Sequence, residues 1–259
     1  MNILVVSDGH EGDYVGLWLP SFEIEGGKWV PNKAQKYLQR CWDDAMQWLP
    51  GKFDIVFLNG DMVAGENLAE QGARLVTSDT MEQVNCAVER LKPLRDRADQ
   101  FRVLRGTPYH EGKKTPAAEP LAKAIGADKW KNGAYSGYWY RKVHAGHIID
   151  VTHHLPAALV YKSTMLEREG SWALRNREKD LPILLIRSHL HEFHRHDTDN
   201  TVEIITPCWQ MQGPYGIKRS PNKMFPDLGL VWIEIEEGKE ENEVHIHKRL
   251  YKHPMWHTE

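Results

Sequence analysis

The sequence predicts one domain of mixed α+β and α/β character, in which helices cover two mixed β-sheets packed on each other. Three observations predict it. Apolar runs of strand length alternate with stretches of helical period in the first half. Strand-like runs dominate the second half. The chain has 259 residues, 41% hydrophobic and 27% charged, enough for a large core in an ordinary globular composition. No repeat, low-complexity tract or linker divides it, so a single domain spans residues 1–259.

Ile3 to Val6 reads as a buried strand stopped by Ser7-Asp8-Gly9. Glu11 to Pro31 has glycines, aromatics and no sustained period, and reads as a long loop with room for short strands. Asn32 caps a helix running to about Leu49, with Leu38, Cys41, Trp42 and Ala45 on one face and Pro50-Gly51 as the stop. Phe53 to Leu58 is a second buried strand. Asp79 and Glu82 resemble a capping box, with Val84, Ala87, Val88, Leu91 and Leu94 at helical spacing after them and Pro93 kinking or ending that helix. Phe101 to Leu104 forms a third strand. Thr115 as cap, Pro116 at the first helical position and Gly126 just past the end frame a further helix.

Tyr138 to Val143 and Ile148 to Thr152 read as a hairpin around His144-Ala145-Gly146. A polar helix follows over Ser163 to Lys179. Ile183 to Ile186, Val202 to Ile205, Gly229 to Ile235 and Glu243 to Arg249 complete the strands, with a turn at Glu236-Glu237-Gly238-Lys239.

Charge and cysteine content narrow the class. The formal net charge of -3 gives no global basic field to recruit nucleic acid. Three widely spaced cysteines, Cys41, Cys86 and Cys208, suit reduced intracellular thiols rather than a disulfide framework. The apolar N-terminus is short and lacks the pattern of a secretory leader, and no apolar run approaches membrane-spanning length. A cytoplasmic enzyme without a membrane partner is the expectation.

Five patches carry the chemistry: Asp8-Gly9-His10, Asn59-Gly60-Asp61, Gly106-Thr107-Pro108-Tyr109-His110-Glu111, His153-His154 and His189-Leu190-His191. Each follows a predicted strand, and strand ends in such a sheet lie side by side, so distant patches converge in one crevice. Imidazole nitrogens and carboxylate oxygens gathered there make a metal site, and a carboxylate at Asp61 has two oxygens with which to bridge two cations. Each patch alone is commonplace, an aspartate in a turn or a surface histidine. With 14 histidines in the chain, His144, His147, His194, His196, His245, His247, His253 and His257 read as surface residues rather than ligands.

The ordered set Asp-x-His, Gly-Asp, Gly-x-x-x-His-Glu, His and His-x-His resembles the calcineurin-like metallophosphoesterase family, from Asp8 to His191. The resemblance implies a four-layer αββα sandwich with a two-metal centre at the C-terminal strand ends. It implies that Asp8, His10 and His191 hold a first metal, that His153 and His189 hold a second, and that Asp61 bridges them. His110 stands where the family places the histidine that contacts the phosphate and assists the leaving oxygen. The family's Gly-Asn-His is replaced here by Gly106-Thr107-Pro108-Tyr109-His110, two residues longer and without the asparagine that completes the second metal's shell. Thr107 and Asn59 are candidate substitutes. His153 is favoured over His154 because the family ligand comes directly after the strand.

Two divalent transition-metal ions are therefore implied, Mn foremost, with Fe, Zn, Ni or Co also suited to imidazole and carboxylate donors. Their chemistry is to lower the pKa of a water and supply a hydroxide for attack on phosphorus. The expected activity is hydrolysis of a phosphodiester in a nucleotide or nucleic acid, a nuclease or phosphodiesterase. A phosphomonoesterase or nucleotide pyrophosphatase of the same chemistry, and a non-catalytic binding module as in retromer-type relatives, are the alternatives. Substrate contacts are expected from Tyr109 and Glu111 and from Trp209, Lys218 and Arg219, where aromatics interleave with basic residues as in single-strand binders. A core tryptophan beside solvated lysines is the competing reading of that stretch.

Overall fold

A computed structural model describes residues 1–67, 71–112, 116–144, 146–155, 162–176, 181–199, 201–213, 217, 225–236 and 243–254. In chain order the elements are β1 (Asn2–Val6), β2 (Glu23–Ile24), β3 (Gly27–Lys28), α1 (Lys33–Trp48), β4 (Phe53–Asn59), α2 (Thr80–Arg95), β5 (Ala98–Leu104), α3 (Pro108–Glu111) and α4 (Ala118–Ala124). They continue with β6 (Ser136–Gly137), β7 (Trp139–His144), β8 (His147–Thr152), α5 (Lys162–Asn176), β9 (Pro182–Arg187), β10 (His194–Asp197), β11 (Val202–Ile205), β12 (Leu228–Ile235) and β13 (Val244–Tyr251).

Strand alternation builds the layers. In β1, Ile3 and Val5 face one core while Leu4 and Val6 face another, and in β4 Ile55 and Phe57 oppose Val56 and Leu58. One sheet runs β13-β12-β1-β4-β5-β6 and the other β10-β11-β9-β8-β7. Both are mixed: β1, β4, β5 and β6 are parallel with β12 antiparallel to β1, and β8, β9 and β11 are parallel with antiparallel edges β7 and β10. Ile3, Val5, Phe57, Tyr140, Val151, Ile186 and Ile204 fill the space between the sheets. Leu38 and Trp42 of α1, Val84 and Leu91 of α2, and Leu121 of α4 cover the outer face of the first sheet. Met165 and Leu166 of α5 pack on Leu185 and Ile205 of the second. The order is helix, sheet, sheet, helix.

Local chemistry explains the ends. Asn32 accepts from the Gln35 amide at 3.0 Å while Gln35 Oε1 accepts from the Asn32 amide, a full capping box on α1. Asp79 caps α2 by accepting from Met81 N, but Glu82 does not close a box; it accepts instead from Thr77 Oγ1 and from the Glu25 amide. Pro93 does not end α2, which continues to Arg95: so near the C-terminus only one ladder bond is lost. The helix expected from Pro116 begins at Ala118, with Ala117 at its cap position and no side-chain cap bond; Thr115 and the turn residues after Glu236 lie outside the described residues. Gly126 does terminate it, its amide donating to Lys123 O. Residues 108–111, in the patch that follows the third strand, close one helical turn, with Pro108 at its first position.

Candidate metal centre

Every clustered side chain projects from the C-terminal end of a parallel strand or the turn just after it. Asp8 and His10 follow β1, Asp61 follows β4, Thr107 and His110 follow β5, His153 follows β8, and His189 and His191 follow β9. Backbone bonds lock these turns together across the two sheets. Asp8 N donates to Gly60 O at 3.0 Å, His10 N to Asp61 O at 3.1 Å, Ser188 N to His153 O at 3.1 Å, and Trp209 N to Asp8 O at 2.9 Å.

Their backbones are strained. Seven non-glycine residues among those described have positive φ, and five of them are Asp8 (52°), His10 (45°), Asp61 (50°), His189 (74°) and His191 (58°). Such a conformation costs about 1–3 kcal/mol per residue and persists where the surroundings enforce it, most often at functional sites. Two glycines make room. A Cβ on Gly60 would lie 2.4 Å from His153 Nδ1, and one on Gly106 would lie 2.1 Å from Asp61 Oδ1.

The donor atoms converge. Asp8, Asp61, His153 and His189 each offer an atom within 4.8 Å of the others, as do Asp8, His10 and His191, and His10, Asp61 and His110. His153 Nε2 is 3.1 Å from Asp61 Oδ2 and 3.9 Å from Asp8 Oδ1. His191 Nε2 is 3.2 Å from Asp8 Oδ1, and His189 Nδ1 is 4.0 Å from Asp61 Oδ2. Tautomers are set from outside the cluster: His153 Nδ1 meets Asn59 O at 2.6 Å and His110 Nδ1 meets Ala64 O at 2.9 Å, which leaves both Nε2 atoms facing inward.

Asp8, His10, Asp61 and His153 are buried, while the His189 and His191 side chains keep 29% and 25% exposure and leave one side open. Burial alone would raise the Asp8 carboxyl, but His153 and His191 hold it at about 2. Against the same burial, His153 and its hydrogen bond keep Asp61 ionised, far below the usual carboxylate range. Burial opposes protonation of His153, yet Asp61 and Asp8 lift it to about 9. Burial and the neighbouring His110 and His191 push His10 well down, and burial with His153 pushes His189 to about 4.

These donors fit cations better than they fit one another. His10 Nδ1 is buried without a hydrogen-bond partner, and Asp8 Oδ1 is buried with imidazole nitrogens of His191, His153 and His10 at 3.2, 3.9 and 3.9 Å. The Nε2 atoms of His10 and His191 face each other at 3.2 Å, where only one proton can lie between the two nitrogens. Two carboxylates and several imidazoles suit a divalent transition metal.

Other expected site residues are placed differently. The Asn59 side-chain amide donates to Thr152 O and Ser188 Oγ, so that side chain pins the two sheets and its backbone carbonyl orients His153. The Thr107 hydroxyl donates to Asp61 rather than pointing to an open ligand position. His154 is exposed and packs its ring 5.0 Å from that of His189, whereas His153 is turned inward. Glu111 is buried against Met62, Val63 and Leu121; burial lifts its carboxyl to about 7, and it accepts from Gly106 N instead of lining the crevice. Trp209 is fully buried, 5.0 Å from Trp42, so it cannot stack a base. Tyr109 is 46% exposed beside His110. Lys218 and Arg219 lie outside the described residues.

Sequence reasoning missed the supports. Glu11 is buried in an ion pair with Arg90 at 3.1 Å and accepts from the Cys86 thiol. Ser7, Ser188 and Thr206 link their hydroxyls beneath the site at 2.8 and 2.6 Å. The signal available was their position, next to Asp8, His10 and His189 in the chain. An open groove at the opposite strand ends, lined by Met1, Asp54, Gln100, His144 and Glu236, borders none of the clustered side chains.

Layer order and strand-end donors together decide the architecture. This is a four-layer αββα sandwich, the arrangement that the resemblance implied. Zinc-complexed wild-type Vps29 from Entamoeba histolytica is similar to this chain, 12% identical with a TM-score of 0.46 over 96% of this chain and 99% of that one. A conserved protein from Streptococcus pneumoniae described as a predicted phosphoesterase is 14% identical, with a TM-score of 0.42 over 96% and 92%. An archaeal phosphodiesterase is 11% identical, with a TM-score of 0.44 over 95% and 100%. No protein-family model and no curated protein matches the chain. Among the described residues no helix is long and apolar enough to cross a membrane.

Proposed function

We propose that the chain is a metal-dependent phosphoesterase that hydrolyses a phosphodiester of a nucleotide or nucleic acid. The observation that carries this is the convergence of seven strained or strand-end donors, Asp8, His10, Asp61, His110, His153, His189 and His191, into three overlapping groups that share Asp8, His10 and Asp61. Shared donors suit two cations, with Asp8, His10 and His191 toward one, His153 and His189 toward the other, and Asp61 between them. When bound, such cations clamp phosphate oxygens and activate water. Manganese is the first candidate on donor chemistry, ahead of Fe, Zn, Ni or Co.

The chain's own residues do the rest. His110 sits 4.3 Å from His10, ring centroid to centroid, and its Nε2 is free of the Ala64 contact, so its imidazolium form is placed to protonate a departing alkoxide through Nε2 and leave the Nδ1–H neutral ring. Tyr109, exposed beside His110 and bonded through its hydroxyl to Asn67, offers a flat face for the group esterified to the phosphate.

The test is metal analysis of the purified chain together with hydrolysis of a matched chromogenic phosphodiester and monoester. Two bound cations and faster diester cleavage support the proposal. Faster monoester cleavage moves it to a phosphomonoesterase. Cations bound without turnover of either ester point to a binding module on the same fold.

A further inference from the structure

The turn after β5 has no amide side chain to offer a cation, and what it does instead is specific. Thr107 N donates to Asp61 Oδ1 at 2.7 Å, and the Thr107 hydroxyl lies 3.0 Å from Oδ2 and 3.2 Å from Oδ1. Both oxygens of one carboxylate are thus met by one residue, which is itself only 8% exposed. Thr107 occupies the cap position of α3 with extended backbone, yet its side chain makes no cap bond there. Pro108 follows at the first helical position, where its missing amide hydrogen costs no helix bond.

The clamp is braced from behind. Gly106 N donates to Glu111 Oε1 at 2.5 Å, which ties the start of the turn to its end. Gly106 also lets the chain pass close enough for the contact, since any Cβ there would collide with Asp61 Oδ1.

We infer that Thr107 is the positioning residue for Asp61, its amide and hydroxyl together fixing the carboxylate that the two cations would share. The inference rests on the proposed two-cation reading. It says that this chain compensates for the absent amide ligand by immobilising a carboxylate already in place rather than by adding an oxygen. Outer hydrogen bonds of this kind change metal affinity by about 10–100-fold when removed.

Thr107→Val removes the hydroxyl at nearly constant shape and keeps the amide; Thr107→Ser restores the hydroxyl. Metal-stripped wild type and both variants are titrated with Mn²⁺ calorimetrically, bound Mn is counted by mass spectrometry, and metal-free melting is recorded. Expected are two Mn²⁺ in wild type and in Thr107→Ser with similar affinities. In Thr107→Val the more weakly held cation binds about 10–100-fold less tightly. Wild-type uptake by Thr107→Val overturns the inference alone, and so does weakened uptake by a Thr107→Ser chain that melts normally. That second result decides the matter if Thr107→Val does not fold. A wild-type chain that takes up no cation overturns the two-cation reading, and the inference with it.

Discussion

Asp61 meets His153 at 3.1 Å and is held by Thr107 on both oxygens, so few side chains here are as fully committed. Asp61→Ala removes a donor from two of the overlapping groups. It is expected to lower bound metal and abolish turnover, whereas His110→Ala keeps the metal and slows diester cleavage by ~10²–10⁴-fold. An unchanged rate in His110→Ala would remove its proposed role. Protons compete with cations for the same atoms. His153 is lifted to about 9, so it carries a proton at neutral pH in the metal-free chain, and Cys208 and Asp8 raise His191 well above its ordinary value against burial. Metal uptake must therefore release protons, and affinity rises as pH climbs toward about 9. For the metal-free fold the sign is the opposite. A raised histidine adds stability that is full below its unfolded value near 6.5 and is lost as pH passes about 9. Calorimetry in buffers of differing ionisation enthalpy checks the first claim and melting across that pH range the second; no proton release would contradict both.

At the scale of elements, α2 buttresses the β1 turn. Arg90 reaches from α2 to Glu11, with the two side chains 1% and 2% exposed, and its guanidinium also lies over the Trp42 ring. Arg90→Ala strands a buried carboxylate next to His10, and a loss of about 3–5 kcal/mol is expected in denaturant unfolding. Replacing both partners with apolar residues of similar size should recover most of it. A loss under ~0.5 kcal/mol for Arg90→Ala would show that water reaches Glu11. The elements differed in how far they could be read from sequence. α1 was legible because its cap, its apolar face and its Pro-Gly stop are all local. β1, β4 and β9 were legible as branched apolar runs, and Asp8, Asp61, His189 and His191 follow their C-terminal ends. The four-residue α3 and the two-residue β6 carry too few residues for a period. The Thr107 clamp, the Asn59 pin and the burial of Trp209 were illegible for another reason: their partners lie 46, 129 and 167 positions away, at Asp61, Ser188 and Trp42.

For the whole molecule, the cluster sits where two sheets meet, and its seven donors come from the ends of five strands, β1, β4, β5, β8 and β9. Only folding assembles it, so cation binding is coupled to global stability. Chelation should lower the melting temperature of the loaded chain, because a cation at ~1,000 times its Kd adds about 4 kcal/mol to the folded state. An Asp8→Asn, Asp61→Asn chain should melt at the same temperature with or without chelator. The most direct measurement is anomalous diffraction from crystals soaked in Mn²⁺. Two peaks are predicted, one beside Asp8, His10 and His191, the other beside Asp61, His153 and His189. No peak there, with manganese bound only at surface carboxylates, would contradict the metal centre and the hydrolysis built on it.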